Sequence, residues 1–420
     1  MTADAGKTQA ETISLAEAGL LAERGRPAMG AVAPLPRDDF DRDVWCVLGL
    51  PIDAADVGRA VEAIEASARD RRRLSFVTPN INWLVRGLKN ETARREILNA
   101  DLSLADGAPL AAIARLLGVP IRRRAAGADI LEALRARRAA DRPLRVFFFG
   151  GREGSAAGAA AALDRARGGL VAAGAMNPGY GDVETMSAPE IIEAINRTAP
   201  DFVIVALGAA KGQAWIDRNK ERLIAPATAH LGAAVDFTAG AKARAPRWMQ
   251  RSGLEWLWRI KEEPALLSRY LADGAALAGI MATRLAPQLF TARFPRAQKA
   301  GTASFSRSAD AERVALSGDF AAGGLGEARR AFREAAAGEG DIILDLSAAG
   351  RVDRAFLGLV LMLEKHVRAR GAALRVAGEG PALRALFKAN AMNYPAAAAE
   401  AGGAPPIVED GGARRAIGQG

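Results

Sequence analysis

Two strand-to-helix junctions hold the polar residues best placed for chemistry. Phe76-Val77-Thr78-Pro79-Asn80-Ile81-Asn82 leaves an apolar run and enters a helical pattern, and Asp106-Gly107 follows the short apolar run Leu102–Leu104. Both stand where open α/β sheets present ligands, at the carboxyl ends of parallel strands. Thr78 and Asn80 either contact a ligand or cap the next helix. The Asp106 carboxylate either takes a proton from a substrate or closes a turn. Gly150-Gly151-Arg152-Glu153-Gly154-Ser155 offers backbone N–H groups to a phosphate, yet it lacks GxGxxG spacing and a tight turn needs glycine anyway. Arg122-Arg123-Arg124 either clamps a diphosphate or solvates a surface.

Other chemistries are excluded by residue type. Cys46 is the sole cysteine, and His230 and His366 are the only histidines. Intramolecular disulfides, thiolate zinc sites and multi-histidine metal centres are therefore ruled out. There is no GxSxG for a serine hydrolase. Asp41-Arg42-Asp43 has the outline of a metal-binding DxD but precedes the core strands, in an acidic segment, and is discounted. Carboxylates remain as the bases.

The elements that must position these residues alternate. From Val44 the pattern reads strand Val44–Leu48, helix 55–70, strand Leu74–Val77, helix 81–98, strand Leu102–Leu104 and helix 108–117. It continues with strand Arg145–Phe149, helix 155–167, strand Leu170–Ala173, helix 188–197, strand Phe202–Leu207 and helix 213–222. This rhythm predicts a Rossmann-like parallel sheet whose nearly all-apolar strands are buried on both faces. Residues 243–272 change character, with Trp248, Trp256 and Trp258 set among six Lys and Arg and preceded by Lys242. Arg244, Arg247 and Arg251 are expected to share one helical face. After Phe294-Pro295-Arg296 a Ser/Ala/Gly stretch reads as a linker. A smaller α/β domain follows, with strands Arg313–Leu316, Asp341–Asp345 and Ala373–Ala377 and helices 324–336, 354–369 and 381–390.

The boundaries read as a flexible extension 1–40, a first domain 41–290, a linker 291–308, a second domain 309–400 and a flexible tail 401–420. A length of 420 residues fits two or three domains. Half the residues are hydrophobic and a quarter charged, which excludes disordered and collagen-like classes. A net charge of +9 favours anionic partners without choosing among them. The N-terminus lacks the apolar core of an export signal, and the apolar stretch 274–282 is far shorter than the roughly 20 residues that span a bilayer. A cytoplasmic protein, peripheral on the inner face of the cytoplasmic membrane, is expected.

Residues 44–272 resemble the WecG/TagA/CpsF family of bacterial glycosyltransferases, which build cell-surface polysaccharides. The resemblance rests on Thr78-Pro79-Asn80, on 101–107, on Arg124-Ala125-Ala126-Gly127-Ala128-Asp129, on 235–240 and above all on 244–257, Arg-Ala-Pro-Arg-Trp-Met-Gln-Arg-Ser-Gly-Leu-Glu-Trp-Leu. It implies inverting transfer of a hexose or N-acetylhexosamine from a UDP-sugar to a polyprenyl-diphosphate-linked saccharide. No cofactor and no obligatory metal are implied. Asp106 falls on the family's general base, with Thr78 beside it. Asn80, Arg124 and Asp236 match substrate-binding positions, Arg124 facing the departing diphosphate. Arg244, Arg247 and Arg251 would meet the acceptor diphosphate at the membrane. The family's Gly-x-Pro-(Lys/Arg)-Gln-Glu-x-Trp reads here Gly208-Ala209-Ala210-Lys211-Gly212-Gln213-Ala214-Trp215. Gly208, Lys211 and Gln213 are retained as donor-binding candidates. Gly212 stands in place of the glutamine and offers no side-chain hydrogen bond, and Gln213 is turned about 100° from that position on a helix.

The second domain looks like a STAS domain, on Asp341–Leu346, Val352-Asp353 and Leu357-Gly358-Leu359. Arg354 and Ala355 occupy the place of the phosphorylatable serine in switchable members, so a docking surface for a protein partner is expected rather than a phosphorylation switch. The alternative to an enzyme is a catalytically degenerate nucleotide-sugar binder with a STAS docking or regulatory domain. A nucleic-acid partner is not expected, because no recognition motif accompanies the basic runs.

Overall fold

The computed structural model describes residues 38–137, 142–166, 168–291, 301–307 and 311–397. The expected extension lies outside the described residues up to 37, as do the tail from 401 and most of the linker.

The described chain opens with an antiparallel hairpin of β1 (Val44–Val47) and β2 (Leu50–Asp53). Leu48 and Gly49 at its turn have φ of 53° and 91°, the pair of positive values that suits the twist of a two-residue hairpin. The order then runs α1 (Val57–Asp70), β3 (Leu74–Val77), α2 (Ile81–Lys89), α3 (Glu91–Leu98), β4 (Leu102–Ser103), α4 (Ala108–Leu116), α5 (Gly127–Ala136) and β5 (Leu144–Gly150). Next come α6 (Ser155–Ala166), β6 (Leu170–Met176), α7 (Pro189–Arg197), β7 (Phe202–Ala206), α8 (Ala209–Asn219), β8 (Ala227–His230) and α9 (Gly232–Thr238). The six strands β3 to β8 form one parallel sheet in the order β4-β3-β8-β7-β5-β6. β7 and β5 are buried along nearly their whole lengths, Phe147, Phe148 and Phe149 completely, as expected of central strands covered on both faces.

Four further helices and a π-helical segment follow: α10 (Arg247–Ser252), α11 (Glu255–Glu262), α12 (Leu266–Ile280), the π segment Met281–Leu285 and α13 (Ala286–Thr291). The second domain holds β9 (Thr302–Arg307), β10 (Ala311–Phe320), α14 (Gly326–Ala336), β11 (Asp341–Val352), α15 (Arg354–Ala369), β12 (Leu374–Ala377) and α16 (Pro381–Ala389). Its mixed sheet runs β12-β11-β10-β9, with only β9 antiparallel.

Three sequence expectations are corrected. The run Val44–Leu48 belongs to the hairpin rather than to the parallel sheet, because β1 pairs with β2 alone. Residues expected in the linker, Thr302–Arg307, form a sheet-edge strand paired with β10. The last residues of the expected extension form a short 3-10 turn, Asp39–Asp41, whose Phe40 is 2% exposed in the second domain's core.

The hairpin joins the two domains. Successive side chains of a strand face opposite ways. Val44 and Cys46 enter the core of the second domain, while Val47, Leu48, Leu50 and Ile52 enter an apolar cluster of the first. α15 lies against β1 so closely that a Cβ on Gly358 would stand 2.2 Å from the Val44 carbonyl oxygen. That helix is buried on every side from Ala355 to Glu364, the pattern of a helix packed between layers. Arg94 on α3 grips Glu364 on α15 through two bonds of 2.6 and 2.7 Å, and the Tyr394 hydroxyl donates to the same carboxylate at 2.7 Å. Burial alone would raise the Glu364 pKa, but bonding and charge from Arg94 hold it below the usual carboxylate range. On the hairpin's other end Asp53 accepts from Arg42 at 2.7 Å and from the Ser103 backbone N–H of β4 at 2.7 Å. The same hairpin thus braces the strand that delivers Asp106.

Candidate active site

The carboxyl ends of β3, β4 and β8 open into a cavity of about 730 Å³, lined by Thr78, Asn80, Asp106, Arg124 and His230 and roofed by residues of α11 and α12. Backbone pairing sets the floor. Leu104 N–H donates to Val77 O at 2.9 Å and Asp106 N–H to Pro79 O at 2.8 Å, so the β3–β4 pairing continues past the strands into both loops. Ala125 N–H donates to Ala105 O at 2.9 Å and brings Arg124 alongside. Gly107, with φ +80°, starts α4 and leaves the Asp106 side chain free of capping duty.

Arg124 is the hub of the site. Its guanidinium lies 3.5 Å from Asp106 Oδ1, 3.0 Å from Glu255 Oε2 on α11 and 3.8 Å from Asp129 Oδ2 on α5. Asp106 keeps a quarter of its side chain exposed to the cavity. Its pKa is pushed up to about 6, chiefly by burial, with Arg124 pulling it down and Glu255 pushing it up. A carboxylate in that range is ionised at neutral pH yet ready to hold a proton, the property a general base needs.

The other expected residues divide. Thr78 and Asn80 line the cavity beside Asp106, and Asn80 is also the cap of α2, accepting from Asn82 N–H at 3.1 Å and Trp83 N–H at 3.4 Å. Asp236 lies outside the lining, 9% exposed, accepting from Ser155 Oγ at 2.9 Å and standing 3.7 Å from Lys242 Nζ. It fastens α9 to the start of α6 behind the glycine-rich turn. Gly208 is the positive-φ cap of α8, and Lys211 Nζ donates to the Gly181 carbonyl at 2.6 Å. Gln213 is fully buried, its Nε2 donating to Asp217 Oδ1 at 3.4 Å. None of these last three lines the cavity, although the adjoining Ala209 does.

The shared helical face expected of Arg244, Arg247 and Arg251 is corrected. Arg244 precedes α10 and is ion-paired to Asp129 and to Glu132, the latter at 2.7 Å. Arg247 is exposed at the helix start, and the Arg251 side chain lies outside the described residues.

Sequence reasoning assigned no role to Glu255, Tyr270, Asp273 or His230, all of which line the cavity. Glu255 sits inside the 244–257 segment, so its presence in a functional motif was the available signal. Asp273 accepts from Asn82 Nδ2 at 3.2 Å and ties α12 to α2 across the opening. The roof helices α11 and α12 contain no buried residue, and Trp248, Trp256, Leu257, Leu267, Leu271 and Met281 stand exposed there or on either side. Among the described residues no helix is long and apolar enough to cross a membrane. Among them, too, no three His, Cys, Asp or Glu gather as a metal-holding group.

Comparison with known proteins identifies the family. Residues 45–289 match the glycosyl transferase WecG/TagA/CpsF family, and residues 303–393 match a STAS domain. An N-acetylglucosaminyldiphosphoundecaprenol N-acetyl-beta-D-mannosaminyltransferase of Bacillus spizizenii is 28% identical over 213 residues, covering 50% of this chain and 80% of that protein. Proteins of the same name from Bacillus subtilis and Staphylococcus aureus are 27% and 25% identical, over 47% and 51% of this chain and 75% and 82% of theirs. With more than half its length matched by the family and its cavity at the sheet's carboxyl edge, the chain belongs to the WecG/TagA/CpsF glycosyl transferases and carries a STAS domain behind the catalytic fold.

Proposed function

We propose that this protein moves a hexose or N-acetylhexosamine from a UDP-sugar, with inversion, to a polyprenyl-diphosphate-linked saccharide at the inner face of the cytoplasmic membrane. The observation that carries the reading is the Asp106–Arg124 pair at the mouth of β4, with the carboxylate raised to about 6 and open to the cavity. The acceptor hydroxyl oxygen attacks the anomeric carbon from the face opposite UDP. Its proton passes to Asp106, the bond from the anomeric carbon to the phosphate oxygen breaks, and UDP departs with the electron pair. Arg124 supplies a fixed cation where charge grows on the leaving diphosphate, and Glu255 and Asp129 hold it in place meanwhile.

Relatives whose names specify N-acetylmannosamine transfer to N-acetylglucosaminyldiphosphoundecaprenol support a lipid-linked acceptor of that kind. The exposed tryptophans and leucines of 248–281, set among Arg247, Arg259, Lys261 and Arg269, suit a lipid surface where such an acceptor resides. A screen of UDP-sugars against polyprenyl-diphosphate-linked acceptors, read by product mass and free UDP, tests the reading. One donor is expected to give a lipid-linked product with equimolar UDP, and a chelator is expected to leave the rate unchanged. Gly212 in the donor motif favours a second reading, a binder without turnover, which predicts UDP-sugar binding with no UDP released.

A further inference from the structure

One cavity-lining polar side chain has no part in the chemistry above. His230 ends β8, between β3 and β7 at the middle of the sheet's carboxyl edge. Its Nε2 is buried and has no hydrogen-bond partner among the described residues. The ring lies in the space beside Gly212 of α8. A Cβ on Gly212 would stand 2.3 Å from His230 Cδ2, 3.1 Å from Cγ and 3.2 Å from Nε2, so no side chain at 212 can coexist with the imidazole where it stands. On its other side Gly232 leaves Nε2 ordinary room, with 3.4 Å to a Cβ there.

The missing side chain of the donor motif is therefore not a hole. An imidazole from the neighbouring strand fills the volume that the motif's glutamine position vacates. Gln213 is no substitute, since it is fully buried, turned toward Asp217 and absent from the cavity wall. Burial, with a smaller push from Arg86, lowers the His230 pKa to about 4, so the ring is neutral under ordinary conditions. A neutral imidazole has one N–H donor and one acceptor and no charge to give a phosphate. Its matching ligand group is a hydroxyl or an acetamide, whereas Arg124 supplies the cation that suits a diphosphate.

We propose that His230 recognises the transferred sugar, hydrogen-bonding a hydroxyl or acetamido group of the donor, and that Gly212 is the space its ring requires. The assignment rests on the UDP-sugar reading above and names the residue that sets sugar choice within it. Titration calorimetry of the full-length protein with UDP, UDP-glucose, UDP-N-acetylglucosamine and UDP-N-acetylmannosamine tests it. The unaltered protein is expected to bind one UDP-sugar more tightly than UDP. His230→Ala should leave UDP affinity within about twofold while weakening the preferred UDP-sugar about tenfold, and His230→Gln should recover part of that loss. Gly212→Ala should reproduce the selective loss by displacing the ring, and should add nothing in the His230→Ala background.

Equal weakening of UDP and UDP-sugar, no change in either, or additive effects of the two substitutions would overturn the assignment. These outcomes count for variants whose melting temperature and circular dichroism match the parent, and either single variant suffices if the other misfolds. Should the unaltered protein bind neither UDP nor any of the three sugar nucleotides, the donor class itself fails and the assignment with it. Should it bind them while His230→Ala behaves as the parent does, only the assignment falls.

Discussion

A single carboxylate sets the chemistry at the scale of residues. Asp106 is raised to about 6 by burial against the pull of Arg124. As a base it works only when ionised, so kcat/KM is expected to rise about tenfold per pH unit below 6 and to level above it, read from initial rates between pH 4.5 and 8. A flat acid limb would contradict the shift. The location of Asp106 was legible in sequence, because an aspartate after a short apolar strand stands at the sheet's carboxyl edge. Its altered acidity was not, since that comes chiefly from burial in the assembled cavity, with smaller pushes from Glu255 and Asp129 arriving on two other helices. His230 was invisible for the same reason: a lone histidine acquires meaning only when Gly212, on a different element, is found beside it.

Among the elements, the roof helices α11 and α12 combine two duties. Inwardly they deliver Glu255 to Arg124 and Asp273 to Asn82. They also expose apolar side chains at the cavity's edge, Leu267 and Leu271, both cavity-lining and 46% and 65% accessible, with Trp248 ahead of them at 63%. Apolar side chains of this kind bind a lipid interface in proportion to the area they insert, helped by cations facing anionic headgroups. The paired substitution Trp248→Glu and Leu271→Glu is therefore expected to lower sedimentation with phosphatidylglycerol vesicles about fivefold or more. The folded core should be unaffected, because neither side chain is buried. Unchanged sedimentation would remove this surface from the account. The basic, tryptophan-rich composition announced the region. It did not reveal that Arg244 turns inward to Asp129 and Glu132, because a residue ahead of a helix escapes the helical periodicity used to place it.

For the molecule as a whole, the second domain is a docked part of the fold. Its helix α15 buries one face against β1 and is locked by the Arg94–Glu364 pair. Removing one member of a buried pair leaves the other charge without compensation, which costs about 3–5 kcal/mol. Glu364→Gln is expected to lower unfolding stability by about 3 kcal/mol in denaturant titration, and replacing both residues by methionine should recover most of it. A loss below about 1 kcal/mol would show that the domains are not coupled through this contact. Both domain folds were legible, since their strands and helices alternate within short windows. Their docking was not, because Arg94 and Glu364 are separated by 270 positions and no local pattern links them. The hairpin that mediates it read as one more parallel strand, the short β2 with its Pro51 giving little sign of a return. The most direct test of the central claim is the rate of UDP release by full-length Asp106→Asn on acceptor-bearing vesicles, at pH 7.5 and saturating donor. Loss of the base predicts a fall of about a hundredfold or more with UDP affinity retained. The raised pKa means that the folded state gives up stability as pH climbs from the ordinary value of 3.8 through about 6, so the same variant should be more stable at pH 7.5, by about 1–2 kcal/mol. UDP release at the parental rate, with chemistry shown to limit turnover, would contradict the account.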